Sequence, residues 1–179
     1  MTAQQAMLQE INALDQDDFV KKLSVLFEGP PRIVVQAWHA RPFTSLEHLH
    51  QALCAVMYNA PVEQQVELLQ AHPDLVGRAA LAGTLPPAST SEQAAAGLDR
   101  LSPEEVVTFS RLNQAYRDRF DFPFIICARE NKKDSILAGF DARLQNSREQ
   151  EIEIALGEVA KICYLRLSDL AGSDAATQT

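Results

Sequence analysis

Prolines punctuate the first two thirds of this chain, and almost every one stands where a helical pattern must begin or end. Nine are present, at positions 30, 31, 42, 61, 73, 86, 87, 103 and 123. A proline lacks the backbone N–H, clashes with the preceding turn and disfavours helix in the residue before it. The chain is therefore restricted to short helical segments joined by sharp breaks. Asp15 to Glu28 carries Phe19, Leu23, Leu26 and Phe27 on one stripe and stops at Gly29-Pro30-Pro31. Arg32 to Ala40 follows with Ile33, Val34, Ala37 and Trp38, and Arg41-Pro42-Phe43 breaks it. Thr44-Ser45-Leu46-Glu47 offers a capping box into a helix with Leu46, Leu49, Leu53 and Met57 facing inward.

Pro61 sits near the first turn of the next helix, where its missing N–H costs nothing. That helix has Val62, Val66 and Leu69 on its apolar side and ends near His72, because Pro73 comes next. Val76 to Pro87 reads as a short helix and a loop, and Ser89 to Leu98 as another short helix. Ser102-Pro103-Glu104-Glu105 opens a helix to about Phe120, with Val106, Phe109, Leu112, Asn113 and Tyr116 along one side. Asp134-Ser135 starts a helix to Gln145, and Ser147-x-x-Gln150 starts the last, expected to run to Gly172. Only Phe122-Pro123-Phe124-Ile125-Ile126-Cys127 lacks a helical period. One strand cannot pair alone, so it reads as a buried extended segment crossing a helical core. The expectation is an all-α, single-domain bundle over 1–179, with about eight helices, a core from about 10 to 172 and a frayed tail over 173–179.

The net charge of -8 argues against a general nucleic-acid-binding surface, although one local arginine can still bind a small anion. Cys54, Cys127 and Cys163 are far apart, with no C-x-x-C, and read as reduced thiols of a cytoplasmic protein. The N-terminus has no signal-peptide pattern, no apolar run is long enough to span a membrane, and the C-terminus has no Ser-Lys-Leu signal. No H-E-x-x-H, Gly-rich phosphate loop or G-x-S-x-G occurs, and no metal site is expected.

Three places stand out chemically. His72 at a helix stop can bond a free carbonyl and favour the macrodipole, or it can face a pocket as an acid/base group. Ser89-x-x-Glu92 fits a capping box, yet a helix start with Glu92 and Gln93 beside it can also wall an anion-tolerant site. Arg166 falls on the apolar face of the last helix, between Ile162 and Leu170. A charge there snorkels, pairs with a buried carboxylate or grips an anionic ligand, and Arg143 is a second candidate for the last role.

Read in order, several segments form one pattern. These are Arg41-Pro42-Phe43, Ala71-His72-Pro73-Asp74-Leu75, Ser89-x-x-Glu92-Gln93-x-x-Ala96-Gly97-Leu98, Tyr116-x-x-x-Phe120-x-Phe122-Pro123-Phe124, Arg143-Leu144-x-Asn146 and Arg166-Leu167. The chain resembles the 2-oxo-4-hydroxy-4-carboxy-5-ureidoimidazoline (OHCU) decarboxylases of urate breakdown over about residues 10 to 170. The resemblance implies an all-helical, cofactor-free homodimer that converts OHCU, a small anionic molecule, to (S)-allantoin and carbon dioxide. It implies His72 as the acid/base histidine and Glu92 as the carboxylate working with it. It also implies Pro73, Ser89, Gln93 and Arg166 as substrate-binding residues. The backbone of Phe124, Ile125, Ile126, Cys127 and Ala128 would bond the hydantoin ring. Two departures are Gly29-Pro30-Pro31, where such families often show Ser-Pro-Trp, and Asp121, where glycine is frequent.

Two other classes compete. In one, the chain is a non-catalytic helical interaction module and the motif residues are caps and packing. In the other, His72, Asp74 and Glu92 ligate a metal in a hydrolase.

Overall fold

The structure is a computed structural model that describes residues 2–176. Among the described residues are ten α-helices, three short 3-10 helices and no strand, so the all-α expectation holds with two more helices than expected. None of these helices is long and apolar enough to cross a membrane. The Cα positions group into two compact units, Met1–Gln65 with Ala160–Thr179, and Val66–Val159.

The first unit contains α1 (Ala3–Ala13), α2 (Gln16–Leu23), α3 (Arg32–Ala37) and α4 (Leu46–Asn59). Helix α1 is absent from the sequence expectation. Its apolar side is only Met7, Leu8 and Ile11, too short a stripe to stand out, but a Thr2–Gln5 capping box starts it. Arg41-Pro42-Phe43 fastens this helix. Arg41 Nη1 donates to Leu14 O at 2.7 Å, and Asn12 Nδ2 and Oδ1 bond the Phe43 carbonyl and amide at 2.9 and 2.8 Å.

The second unit begins within α5 (Val62–Gln70) and contains α6 (Arg78–Leu81), α7 (Pro87–Ala95), α8 (Pro103–Phe120) and α9 (Lys133–Arg143). It also holds the first turns of α10 (Arg148–Ala176). The Ser147–Gln150 box forms as expected, with reciprocal bonds of 2.9 and 3.2 Å. Helix α10 runs past the expected end at Gly172 as far as Ala176, and 177–179 of the expected tail lie outside the described residues.

The segment between α8 and the 3-10 turn Ala128–Glu130 is extended and buried, as expected, with Phe122 at 0% and Phe124 at 1% exposure. A polar network fixes its path. Arg143 Nη1 donates to Ile125 O at 2.6 Å and Nε to Glu151 Oε2 at 2.9 Å, while the Tyr116 hydroxyl donates to the same carboxylate oxygen. Asn146 Nδ2 donates to Glu151 Oε1 at 2.8 Å, so both oxygens of this fully buried carboxylate are engaged. The Arg143 guanidinium also lies 4.3 Å from the centre of the Phe124 ring, which stacks on Phe140. Burial pushes the Tyr116 phenol pKa up, outweighing the opposing pull of Arg143, so the hydroxyl keeps its proton and acts as a donor.

Asp121, where the resemblance expects glycine, ends α8 in the left-handed region at φ 66. Asp121→Gly should therefore raise stability by about 1 kcal/mol, and Asp121→Val should lower it by about 1–2 kcal/mol, in urea unfolding. Arg143→Met strands the Glu151 charge and should cost about 3–5 kcal/mol in the same measurement. Adding Glu151→Leu to that variant should return much of the loss, because no buried charge then remains unpaired.

Candidate active site

Helix α5 ends at Gln70, and His72 lies in the turn beyond it, 8% exposed. Pro73 enforces the stop. The imidazole folds back so that Nδ1 lies 2.9 Å from Leu68 O, one of the carbonyls the helix end leaves without an intrahelical partner. A carbonyl only accepts, so Nδ1 carries the hydrogen, and in the neutral ring the basic lone pair belongs to Nε2. A cap at Nδ1 is therefore compatible with acid/base chemistry at Nε2, because the cap chooses the tautomer.

The capping box expected at Ser89 and Glu92 does not form. Helix α7 starts two residues earlier, at Pro87, with Pro86 as its N-cap and no side-chain cap bond. Proline at the first helical position is already set for helix and has no N–H to satisfy, which is why Pro86-Pro87 opens α7 rather than ending a loop. Ser89 sits inside the first turn, 4% exposed, and Glu92 lies one turn on, beyond the reach of the free N–H groups at the helix start. A cap therefore explains neither residue. Ser89, Glu92, Gln93 and Ala96 are spaced to share one face of α7, with Ser89, Gln93 and Ala96 buried.

That face meets the segment after His72. Gln93 Oε1 accepts from the Val76 N–H at 3.0 Å, and Gln93 Nε2 donates to Asp74 O at 3.4 Å. Val76 has φ 51, a left-handed conformation that a β-branched side chain adopts only at a cost of about 1–3 kcal/mol. The turn closes tightly on Gly77, where a Cβ would lie 2.7 Å from Asp74 Cβ. From α8, Asn113 Nδ2 donates to Leu75 O at 2.7 Å and Arg117 Nε to Asp74 Oδ1 at 2.8 Å. Sequence reasoning placed Asn113 in an apolar stripe and passed over Arg117; the available signal was an amide in that stripe with an arginine one turn on.

Helix α7 also packs against the 3-10 turn Ala128–Glu130, and Lys132 Nζ donates to Ala95 O at its C-terminus at 2.6 Å. The extended segment thereby reaches the same helix. Part of its backbone is already engaged: Ile125 O by Arg143, Cys127 N–H by Glu158 Oε2 at 2.8 Å, and Cys127 O by Asn131 Nδ2 at 3.0 Å. Phe124 and Ala128 are buried and Ile126 is half-buried. Burial raises the Cys127 thiol pKa, and Glu130, Glu158 and Glu92 raise it further, so the thiol stays protonated at neutral pH rather than serving as a nucleophile.

Two arginine expectations resolve differently. Arg143 belongs to the Glu151 network. Arg166, in the first unit, is 7% exposed, donates from Nη1 to Val25 O at 3.1 Å and pairs with Glu28 through Nη2 at 3.3 Å. Asp74 is held by Arg117, and among the described residues no group of three or more His, Cys, Asp or Glu is gathered as a metal would need.

Comparison with known proteins places the whole chain rather than the site. The OHCU decarboxylase family model matches residues 12–168, which run through both units. The chain is 39% identical over 167 residues to 2-oxo-4-hydroxy-4-carboxy-5-ureidoimidazoline decarboxylase of Haloferax volcanii, covering 93% of this chain and 97% of that protein. It is 38% identical to the Mus musculus protein of the same name, covering 92% of each. Among solved structures, an OHCU decarboxylase crystallised in the presence of (S)-allantoin superposes with a TM-score of 0.68 at 25% identity, covering 83% of this chain and 96% of that one. An (S)-allantoin synthase superposes with a TM-score of 0.73 at 26% identity, covering 91% of this chain and 53% of that one. This chain belongs to the OHCU decarboxylase family.

Proposed function

We propose that the chain is a carboxy-lyase that converts OHCU to (S)-allantoin and carbon dioxide in urate breakdown, with His72 and Glu92 as its acid/base pair. Family membership supports the reaction, and the observation that carries the assignment of His72 is its bond to Leu68 O. With Nδ1 committed to the backbone, proton exchange with substrate falls to Nε2. The 3-10 turn after the extended segment and the segment after His72 both meet α7, which bears Glu92.

Loss of carbon dioxide leaves an electron pair on the ring carbon, and a decarboxylase normally needs a cofactor to receive it. OHCU supplies its own acceptor, the ring C=N adjacent to the carbon that bears hydroxyl and carboxylate. As the C–C bond to the carboxylate breaks, its electrons form a new ring C=C bond and the imine nitrogen takes a proton. The hydroxyl then gives up its proton to become a carbonyl, and the neighbouring carbon gains one. The net change is uptake of one proton and release of one carbon dioxide. The protein's work is orientation and delivery of that last proton to one face. In this reading His72 delivers it, Glu92 holds the hydroxyl or the ring of His72, and Pro73 and Ser89 flank the substrate. Gln93 contributes its second Nε2 hydrogen, and the peptides of Phe124 to Ala128 left over from the internal bonds above line the hydantoin ring. Arg166 helps hold the ring and ureido group, an assignment that rests on the resemblance. The same resemblance supports a cofactor-free homodimer, and three buried free cysteines suit a reducing, cytoplasmic compartment.

Generating OHCU in place from urate and following allantoin by circular dichroism tests the reading. The protein should produce (S)-allantoin faster than the uncatalysed decay; a rate and handedness equal to that decay would sink the assignment. His72→Ala should abolish the excess of the (S) form, and Glu92→Gln should lower kcat by about 10²–10⁴-fold. Arg166→Lys keeps the charge but not the fork, and should raise KM about tenfold or more, the worth of one charge-assisted bond.

A further inference from the structure

We infer that Asn113 and Arg117, one turn apart on α8, are positioning residues that hold the left-handed turn at Val76 and through it the His72 imidazole. The inference rests on the proposed role of His72, and two features set these residues apart from ordinary packing. Asn113 is 5% exposed on an otherwise apolar face, and its Oδ1 has no hydrogen-bond partner in the described structure. A buried amide with one orphaned oxygen is unfavourable unless its other end is needed, and that end supplies the bond to Leu75 O. Arg117, half-buried, reaches Asp74 with Nε and so fixes the residue two beyond His72.

The segment they hold is strained. Only Pro73, Asp74 and Leu75 separate His72 from Val76, whose φ of 51 disfavours a β-branched side chain. Left alone, the turn would relax toward ordinary backbone angles, and the proline would transmit that change to His72 because its own φ is locked. Gln93 grips the turn from α7 at Asp74 O and Val76 N, and Asn113 and Arg117 grip it from α8 at the intervening Leu75 O and at the Asp74 side chain. Three consecutive residues are thus fixed from two helices, which is the support a proton-transfer group needs when small displacements are costly.

The test uses Asn113→Leu and Arg117→Gln, with Arg111→Gln, an exposed arginine of the same helix, as control. Long-range proton–nitrogen NMR reads the His72 tautomer without substrate, and steady-state kinetics on OHCU reads function. Wild type should show a single Nδ1–H tautomer. Both variants should mix tautomers and lose about tenfold to a hundredfold in kcat with KM changed little, and the allantoin formed should be less enriched in the (S) form. The control should match wild type. Val76→Gly, which accepts the left-handed angle without strain, should restore part of the kcat lost in Arg117→Gln. Folded variants with the wild-type tautomer and kcat would overturn the inference. A clean loss of tautomer order in a protein without activity on OHCU would instead retain the positioning and refute the proposed function. If Asn113→Leu does not fold, Arg117→Gln and its Val76→Gly partner decide the matter alone.

Discussion

Glu151 is a carboxylate with no exposure to solvent, and the second unit is arranged around satisfying it. An ionised carboxylate in such a place is tolerable only with its acceptor positions filled, and here Tyr116, Arg143 and Asn146 fill them. Those donors come from α8, α9 and the turn before α10, so a single charge requires several elements to arrive together. Arg143 is then aimed at Ile125 O, and the extended segment takes its path from that bond. The buried extended segment is therefore specified by polar complementarity as well as by the aromatic side chains stacked along it.

The consequence for the site is a division of labour along α8. Tyr116 serves the extended segment, whereas Asn113 and Arg117, on either side of it in the sequence, serve the turn after His72. Helix α7 lies against both: Gln93 bonds the turn, and the helix packs on residues 128–130. Glu92 is thus carried by an element that touches both supported segments. Rigid supports of this kind suit a group whose orientation matters to proton transfer, as proposed for His72.

Much of this could be read from the sequence, and the failures have physical causes. Helix starts at Ser102-Pro103 and Ser147 were readable because capping chemistry is local. The extended segment was readable because proline and β-branched residues resist helix. Helix α1 was not, since three apolar residues in eleven carry little periodic signal. At α7 a serine and a glutamate mimicked a cap, and the true start lay in a proline pair that served equally well as a stop signal. Arg143 was readable as an inward-facing charge but not as a structural one, because its partner Glu151 lies on another element and long-range pairing leaves no local trace. His72 offered two readings at the level of sequence; the geometry shows the capping bond, and the proposed role joins the second reading to it.

That merger ties the length of α5 to the chemistry. The ring of His72 bonds the carbonyl of Leu68, four residues earlier and inside the helix. Each residue added to or removed from a helix rotates the chain beyond it by about 100° and shifts it by about 1.5 Å along the axis. A single-residue insertion or deletion between Leu68 and Pro73 would therefore turn the imidazole to another side of the helix end, with every side chain of the site still present. With His72 in its proposed role, the spacing from Leu68 to Pro73 matters as much as the histidine itself, and chains that share this arrangement are expected to vary there by substitution but not in length.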